Sequence, residues 1–144
     1  MAAVIISAAT VMRLDWDAVR AGGLVCLVFA VPFSIAARWA ADNDNGGLAT
    51  GLVLVAVVGF LLGGGCAAWV QRLDSPLTHG IVTAALTYSA AQAVFIVVRL
   101  VRGDDVQWFA VVFNLTVATF AGLLGGVLGQ RLRGRGFVPG SRSR

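Results

Sequence analysis

The sequence predicts an all-α integral membrane protein built as a four-transmembrane-helix bundle. Composition is the first reason: 58% of the 144 residues are hydrophobic and only 12% are charged, whereas soluble chains carry about a quarter charged residues. The second is that four apolar runs recur along the chain. Each reaches about twenty residues, enough at about 1.5 Å per residue to cross the roughly 30 Å of a bilayer's hydrocarbon core. The third is that charges gather at the ends of those runs, where interfacial anchoring needs them. Four spans leave no length for a second domain.

Residues 1–16 form an N-terminal segment. MAAVIISAATVM is too short to span, and with no basic residues before it a cleaved signal peptide is not expected. It reads as a helix lying in the interface or as a flexible extension; alternatively Met12 is the start. Asp15 or Asp17 can cap the following helix, and Trp16 suits an interfacial depth.

Span one covers about 19–40. Pro32 removes a backbone hydrogen bond there, and Ser34 is placed to re-satisfy a freed carbonyl. Arg38 and Trp39 mark its end, and ADNDNGG (41–47) is a short polar turn. Span two, about 48–70, contains GLVLVAVVGFLLGGGCAAWV, with no charge, amide or hydroxyl. Its Gly47, Gly51, Gly59, Gly63 and Ala67 form a ridge of small residues at four-residue steps, interrupted by Val55.

Ser75 and Pro76 read as N-cap and first residue of span three, about 77–101, the most polar of the four. Span four, about 106–130, carries a second ridge through Asn114, Ala118, Gly122, Gly126 and Gln130. The pairing expected from these patterns sets Gly51, Gly59 and Gly63 against Ala118, Gly122 and Gly126. Residues 131–144 read as a basic, disordered cytoplasmic tail.

The two halves share landmarks. LLGG recurs at 61–64 and 123–126, QRL at 71–73 and 130–132, and an exit arginine at 38 and 99. The offsets suggest two tandem related hairpins, 17–73 and 77–133, in the same orientation. Eight arginines lie on the side of the termini and the 71–76 loop, against three on the other. Positive-inside logic then places both termini in the cytoplasm. The chain has no Lys or Glu, and with its wealth of Ala, Gly and Val this suggests a bacterial origin and the bacterial cytoplasmic (inner) membrane.

Ser34, Ser89, Gln92, Asn114 and Thr116 fall at similar depth in one half of the membrane. As interhelical glue, Gln92 and Asn114 would bond each other, a contact worth about 0.6–2 kcal/mol; the other reading is a polar floor for a solute or lipid headgroup. Arg38, Arg99, Arg131, Arg133 and Arg135 are candidates for headgroup phosphate. His79, the single histidine, reads as an interfacial capping residue. Cys26 and Cys66 read as packing residues. No metal, cofactor or catalytic set is expected, and no carboxylate lies in a span to serve proton coupling. A net charge of +4 raises nucleic acid as a partner, but the cations sit at span ends, so none is expected.

GGGCAAWV (63–70) followed by LTHGIVTAALTY (77–88) resembles the second and third spans of a family of small four-span membrane proteins of unknown function from Gram-positive bacteria. The resemblance covers about a quarter of the chain; it implies four spans and adds no activity. Four-span multidrug exporters carry a Glu in span one that this chain lacks, and the glycine-arginine signature of fluoride channels is also missing. The expected function is a non-catalytic accessory or assembly role, with membrane lipid, itself or another membrane protein as partner. The alternative is an oligomeric channel or transporter for a small solute.

Overall fold

The computed structural model describes residues 14–136. The expectations for 1–13 and for 137–144 lie outside the described residues. The described chain forms four helices, α1 (Trp16–Asp42), α2 (Gly46–Val70), α3 (Pro76–Arg102) and α4 (Trp108–Gly134). All four are long and apolar enough to cross a membrane, giving an all-α four-helix membrane bundle.

Helix boundaries follow local chemistry. Asp15 caps α1, its Oδ1 accepting from the Ala18 N–H at 3.3 Å. Asn45 caps α2 through Leu48 N–H at 3.2 Å. Pro76 opens α3, but the Ser75 side chain makes no cap bond and turns to His79 instead. Gly103 ends α3 with φ of 74°, a left-handed backbone that glycine takes without a Cβ penalty. α1 runs through Pro32 as one helix. The α4 helix continues through Arg131–Gly134, residues expected to belong to the basic tail. Arginines suit a helix C-terminus, and Arg133 is also held by the 71–74 turn.

Sequential helices are antiparallel. We call the end with residues 14 and 136 the base and the end with the 43–45 and 103–107 turns the mouth. Trp16 and Trp69 lie toward the base, Trp39 and Trp108 toward the mouth, the arrangement of aromatic belts at two interfaces. α2 touches all three other helices, while α1 and α4 do not touch among the described residues.

The base half is joined by backbone approaching backbone. A Cβ on Gly22 would collide with the Gly63 carbonyl and stand 2.7 Å from the Ala67 Cβ. A Cβ on Gly64 would stand 2.8 Å from the Gly122 Cα, and one on Gly80 would be 2.5 Å from the Gly122 oxygen. Gly125 lies against the Leu61 carbonyl, and Gly129 would carry its Cβ 2.5 Å from the Gly65 oxygen.

These contacts correct the expected pairing of ridges. Gly59 and Gly63 face α1, against Phe29 and Cys26, not α4. Gly126 faces Pro76 and Leu77 of α3, and Gly122 lies against α3 as well as Gly64. Ala118 is buried in the core with Cys26, Ala30, Phe60, Ala84 and Ala121. Gly47 and Gly51 meet nothing within 4 Å. Four-residue steps find a face that can be approached; they do not say which neighbour approaches it.

The two hairpins use one contact twice. Gly22 of α1 sits against Gly63 and Ala67 of α2, and Gly80 of α3 sits against Gly122 and Gly126 of α4. Matching these contacts relates the halves by an offset of about 58–59 residues, whereas the LLGG motifs are 62 apart.

Gly64→Leu should lower stability by about 1–3 kcal/mol or more, because the new side chain meets fixed backbone. Gly51→Leu should stay within about 0.5 kcal/mol. Midpoint shifts in mixed-micelle denaturation measure both.

Candidate functional site: the vestibule and the base knot

Above the core cluster the helices separate around a cavity of about 450 Å³ that opens at the mouth, within the roughly 300–1,000 Å³ typical of small-ligand sites. All four helices line it. Its floor is Phe60 of α2 and Tyr88 of α3, with ring centroids 6.2 Å apart and planes tilted by 59°. The Tyr88 hydroxyl donates to the Val111 carbonyl of α4 at 3.0 Å, so the floor also ties α3 to α4.

Three of the five expected polar residues line this vestibule: Ser34, Gln92 and Asn114. They do not form the expected amide–amide bond; Asn114 adjoins the Tyr88 hydroxyl instead. Ser34 lines the cavity rather than bonding a carbonyl freed by Pro32. Ser89 is exposed and outside the cavity lining. Thr116 is also outside it, its hydroxyl donating to the Val112 carbonyl at 3.0 Å in its own helix. Residues 89 and 116 share the depth of the cluster but lie on other faces of α3 and α4.

Arg38 and Arg99 both line the cavity at the mouth, and no carboxylate does. Arg38 Nε lies 4.0 Å from Asp42, both side chains being largely exposed, and such pairs are weak. Arg99 Nη1 donates to the Asp105 backbone carbonyl at 3.1 Å. A guanidinium has five N–H donors, so both keep donors for a ligand. Gln107 joins the rim. Below, a second hollow of about 320 Å³ lies between α2 and α4. Val57 and Val117 belong to both walls and stand between the vestibule and the hollow, which runs past Leu61, Phe120 and Leu124.

The base carries a different polar cluster. His79 is fully buried. Its Nε2 accepts the Asp15 backbone N–H at 2.8 Å, so in the neutral ring the proton sits on Nδ1 and is donated to the Ser75 carbonyl, also 2.8 Å away. The Asp15 carboxylate in turn accepts the Arg72 backbone N–H at 3.2 Å through Oδ2. Gln71, 2% exposed, folds its Oε1 back to the Leu73 N–H at 2.7 Å. Arg133 of α4 donates to the Gln71 carbonyl at 3.1 Å and lies 3.6 Å from Asp74. Start of α1, turn after α2, start of α3 and end of α4 are thus bonded into one knot.

His79 therefore does more than cap its own helix. The sequence signals its place at the start of a span, but its partner Asp15 lies 64 residues away. Arg133 serves the knot, while Arg131 and Arg135 are exposed. Comparison with protein families, curated proteins and solved structures returns no match.

His79→Ala leaves the Asp15 N–H without its acceptor and should lower stability by about 1–3 kcal/mol. Asp74→Asn, which removes the charge of a carboxylate that is 96% exposed and keeps a residue type that tolerates the left-handed backbone at φ 51°, should change it by no more than about 0.5 kcal/mol. Thermal melts in detergent compare the two.

Proposed function

We propose that this protein is a non-catalytic, multi-pass protein of the bacterial cytoplasmic membrane, with both termini cytoplasmic, that binds membrane lipid through its vestibule in an accessory or assembly role. One observation carries the reading. The bundle is closed in its base half by glycine backbones in contact and open in its mouth half around an amphipathic cavity. A cavity with a closed floor suits a binding site better than a passage through one protomer. The orientation rests on the arginine excess at the base. On this reading the mouth faces away from the cytoplasm and the vestibule takes lipid from the outer leaflet.

Catalysis has little to support it within the cavity, whose polar lining consists of Ser34, Arg38, Tyr88, Gln92, Arg99, Gln107 and Asn114. No thiol, imidazole or carboxylate stands beside Ser34 to activate it. The interhelical partner role remains compatible with the apolar perimeter, where residues such as Phe109 (85% exposed) and Val101 (82%) face outward.

Two measurements test the proposal. Proteoliposomes containing the purified protein should show no more leakage of small ions and neutral solutes than empty vesicles, and protein extracted in mild detergent should retain lipid. Selective solute flux would overturn the binding reading in favour of an oligomeric channel or transporter. For orientation, cysteines introduced as Asp44→Cys or Asp74→Cys in a chain with Cys26 and Cys66 replaced by Ala should differ on intact cells. A membrane-impermeant maleimide should label position 44 and not position 74.

A further inference from the structure

We infer that the vestibule's ligand is an anionic phospholipid bound side-on, its phosphate between Arg38 and Arg99 and one acyl chain passing between Val57 and Val117 into the α2–α4 hollow. The inference rests on the vestibule being a lipid site and specifies which lipid and how it lies.

Charge selects the head. The cavity lining holds two guanidinium groups and no carboxylate. Four aspartates stand at the mouth outside the lining. Asp42 lies 4.0 Å from Arg38 Nε in a largely exposed, weak pair. Asp104 lies beside Arg102, Asp105 offers Arg99 its backbone carbonyl, and Asp44 is in the 43–45 turn. Arg38 comes from α1 and Arg99 from α3, so an anion between them is reached from two helices, with the planar forks suited to phosphate oxygens. Ser34 lies about one turn below Arg38 and Gln92 about two turns below Arg99, on the side of the arginines where the glycerol and ester carbonyls of a bound lipid would lie. Gln92 can donate to such carbonyls.

Shape selects the tail. Tyr88 lies eleven residues from Arg99 along α3, a rise of about 16 Å. Along that depth Val53 and Val57 of α2 and Ala110, Val111 and Val117 of α4 supply apolar wall, which suits a hydrocarbon chain. The Phe60–Tyr88 floor blocks a straight descent. The hollow that shares Val57 and Val117 offers the turn outward, and its one hydroxyl, on Thr116, is already bonded within α4. The second chain of the lipid then stays in the bilayer. A free phosphate would have use for the arginines but none for the apolar hollow beyond Val57 and Val117.

The test uses the full chain, delipidated in detergent, with four probes: phosphatidylglycerol, phosphatidylcholine with the same chains, glycerol 3-phosphate and inorganic phosphate. Native mass spectrometry reads the binding. One phosphatidylglycerol per protomer should bind at least tenfold tighter than phosphatidylcholine, with neither soluble phosphate bound. Combined Arg38→Gln and Arg99→Gln should reduce that preference to within twofold, and Ala110→Trp, which fills the vestibule, should remove binding of both lipids.

A phosphatidylglycerol carrying a mid-chain diazirine should crosslink to Val57, Val117 or Phe120 in the unmodified protein, a readout independent of whether the variants fold. Equal binding of the two lipids, abolished by Ala110→Trp, would overturn the choice of head while leaving a lipid vestibule intact. Tight binding of inorganic phosphate alone would overturn the lipid in favour of a free anion. Lipid binding indifferent to Ala110→Trp, with crosslinks elsewhere, would overturn both the inference and the vestibule as a lipid site.

Discussion

The bundle depends on backbones that touch. Within hydrocarbon there is no hydrophobic gain in moving a side chain from lipid to protein, so helices associate through close van der Waals contact and polar bonds. Glycine permits the closest contact. Three pairs of consecutive glycines here serve different neighbours. Successive residues point about 100° apart around a helix, and Gly63 meets α1 while Gly64 meets α4. Gly125 lies on α2 and Gly126 on α3; Gly22 lies against α2 and Gly23 against Thr87 of α3. In the base half, the pairs 22–23, 63–64 and 125–126 each serve two neighbouring helices, whereas the Gly46–Gly47 pair at the mouth meets none. The triple Gly63–Gly65 on α2 serves two neighbours, Gly63 meeting α1 and both Gly64 and Gly65 meeting α4.

The base knot completes what the glycines begin. Its bonds cross between elements: α1 to α3 through Asp15 and His79, α1 to the 71–75 turn through Arg72, and α4 to that turn through Arg133. The mouth's bonds are local. Asn43 donates to the Trp39 carbonyl at the end of α1, and Arg99 reaches Asp105 in the adjoining turn. The two ends thus differ in what opening would cost. Separating the helices at the base breaks several bonds between elements and exposes a buried imidazole. Widening the mouth breaks none of the knot's bonds, and the Tyr88–Val111 bond holds the floor at the junction. Local opening follows such differences in bonding.

Much of the frame was legible in the sequence because membrane spans announce themselves residue by residue. Run length, the Asp15 cap and the Pro76 start are local signals. Ser75, expected as an N-cap, makes no cap bond, and Asn45 caps α2 from a stretch legible only as a polar turn. The cluster of polar residues was legible as a depth but not as a cavity. Depth follows from counting residues, whereas Ser89 and Thr116 differ from Gln92 and Asn114 in azimuth, which depends on where neighbouring helices sit. The ridges were legible as approachable faces and misassigned as partners for the same reason. The knot was the least legible part. Gln71 is an ordinary residue at a helix end, and nothing near His79 in the chain points to Asp15.

The vestibule follows from where small residues stop. Going from base to mouth along α2, Gly64 and Gly63 touch backbone, Phe60 then wedges against Tyr88, and Val57, Ala56 and Val53 line open space. Interaxial distance is set by the side chains at the contact, so two aromatic rings at mid-membrane force apart helices that glycine holds together below. Gly47 and Gly51 continue the ridge's spacing beyond the wedge, on a face where an added Cβ meets nothing within 4 Å. Gln92 and Asn114 fall in the widened half. Amides left facing hydrocarbon are costly, and they do not satisfy one another. Their position is favourable when the cavity's upper part holds water or polar ligand atoms and its lower part holds a chain, an amphipathic division that matches the order of side chains from Arg99 through Gln92 to Tyr88.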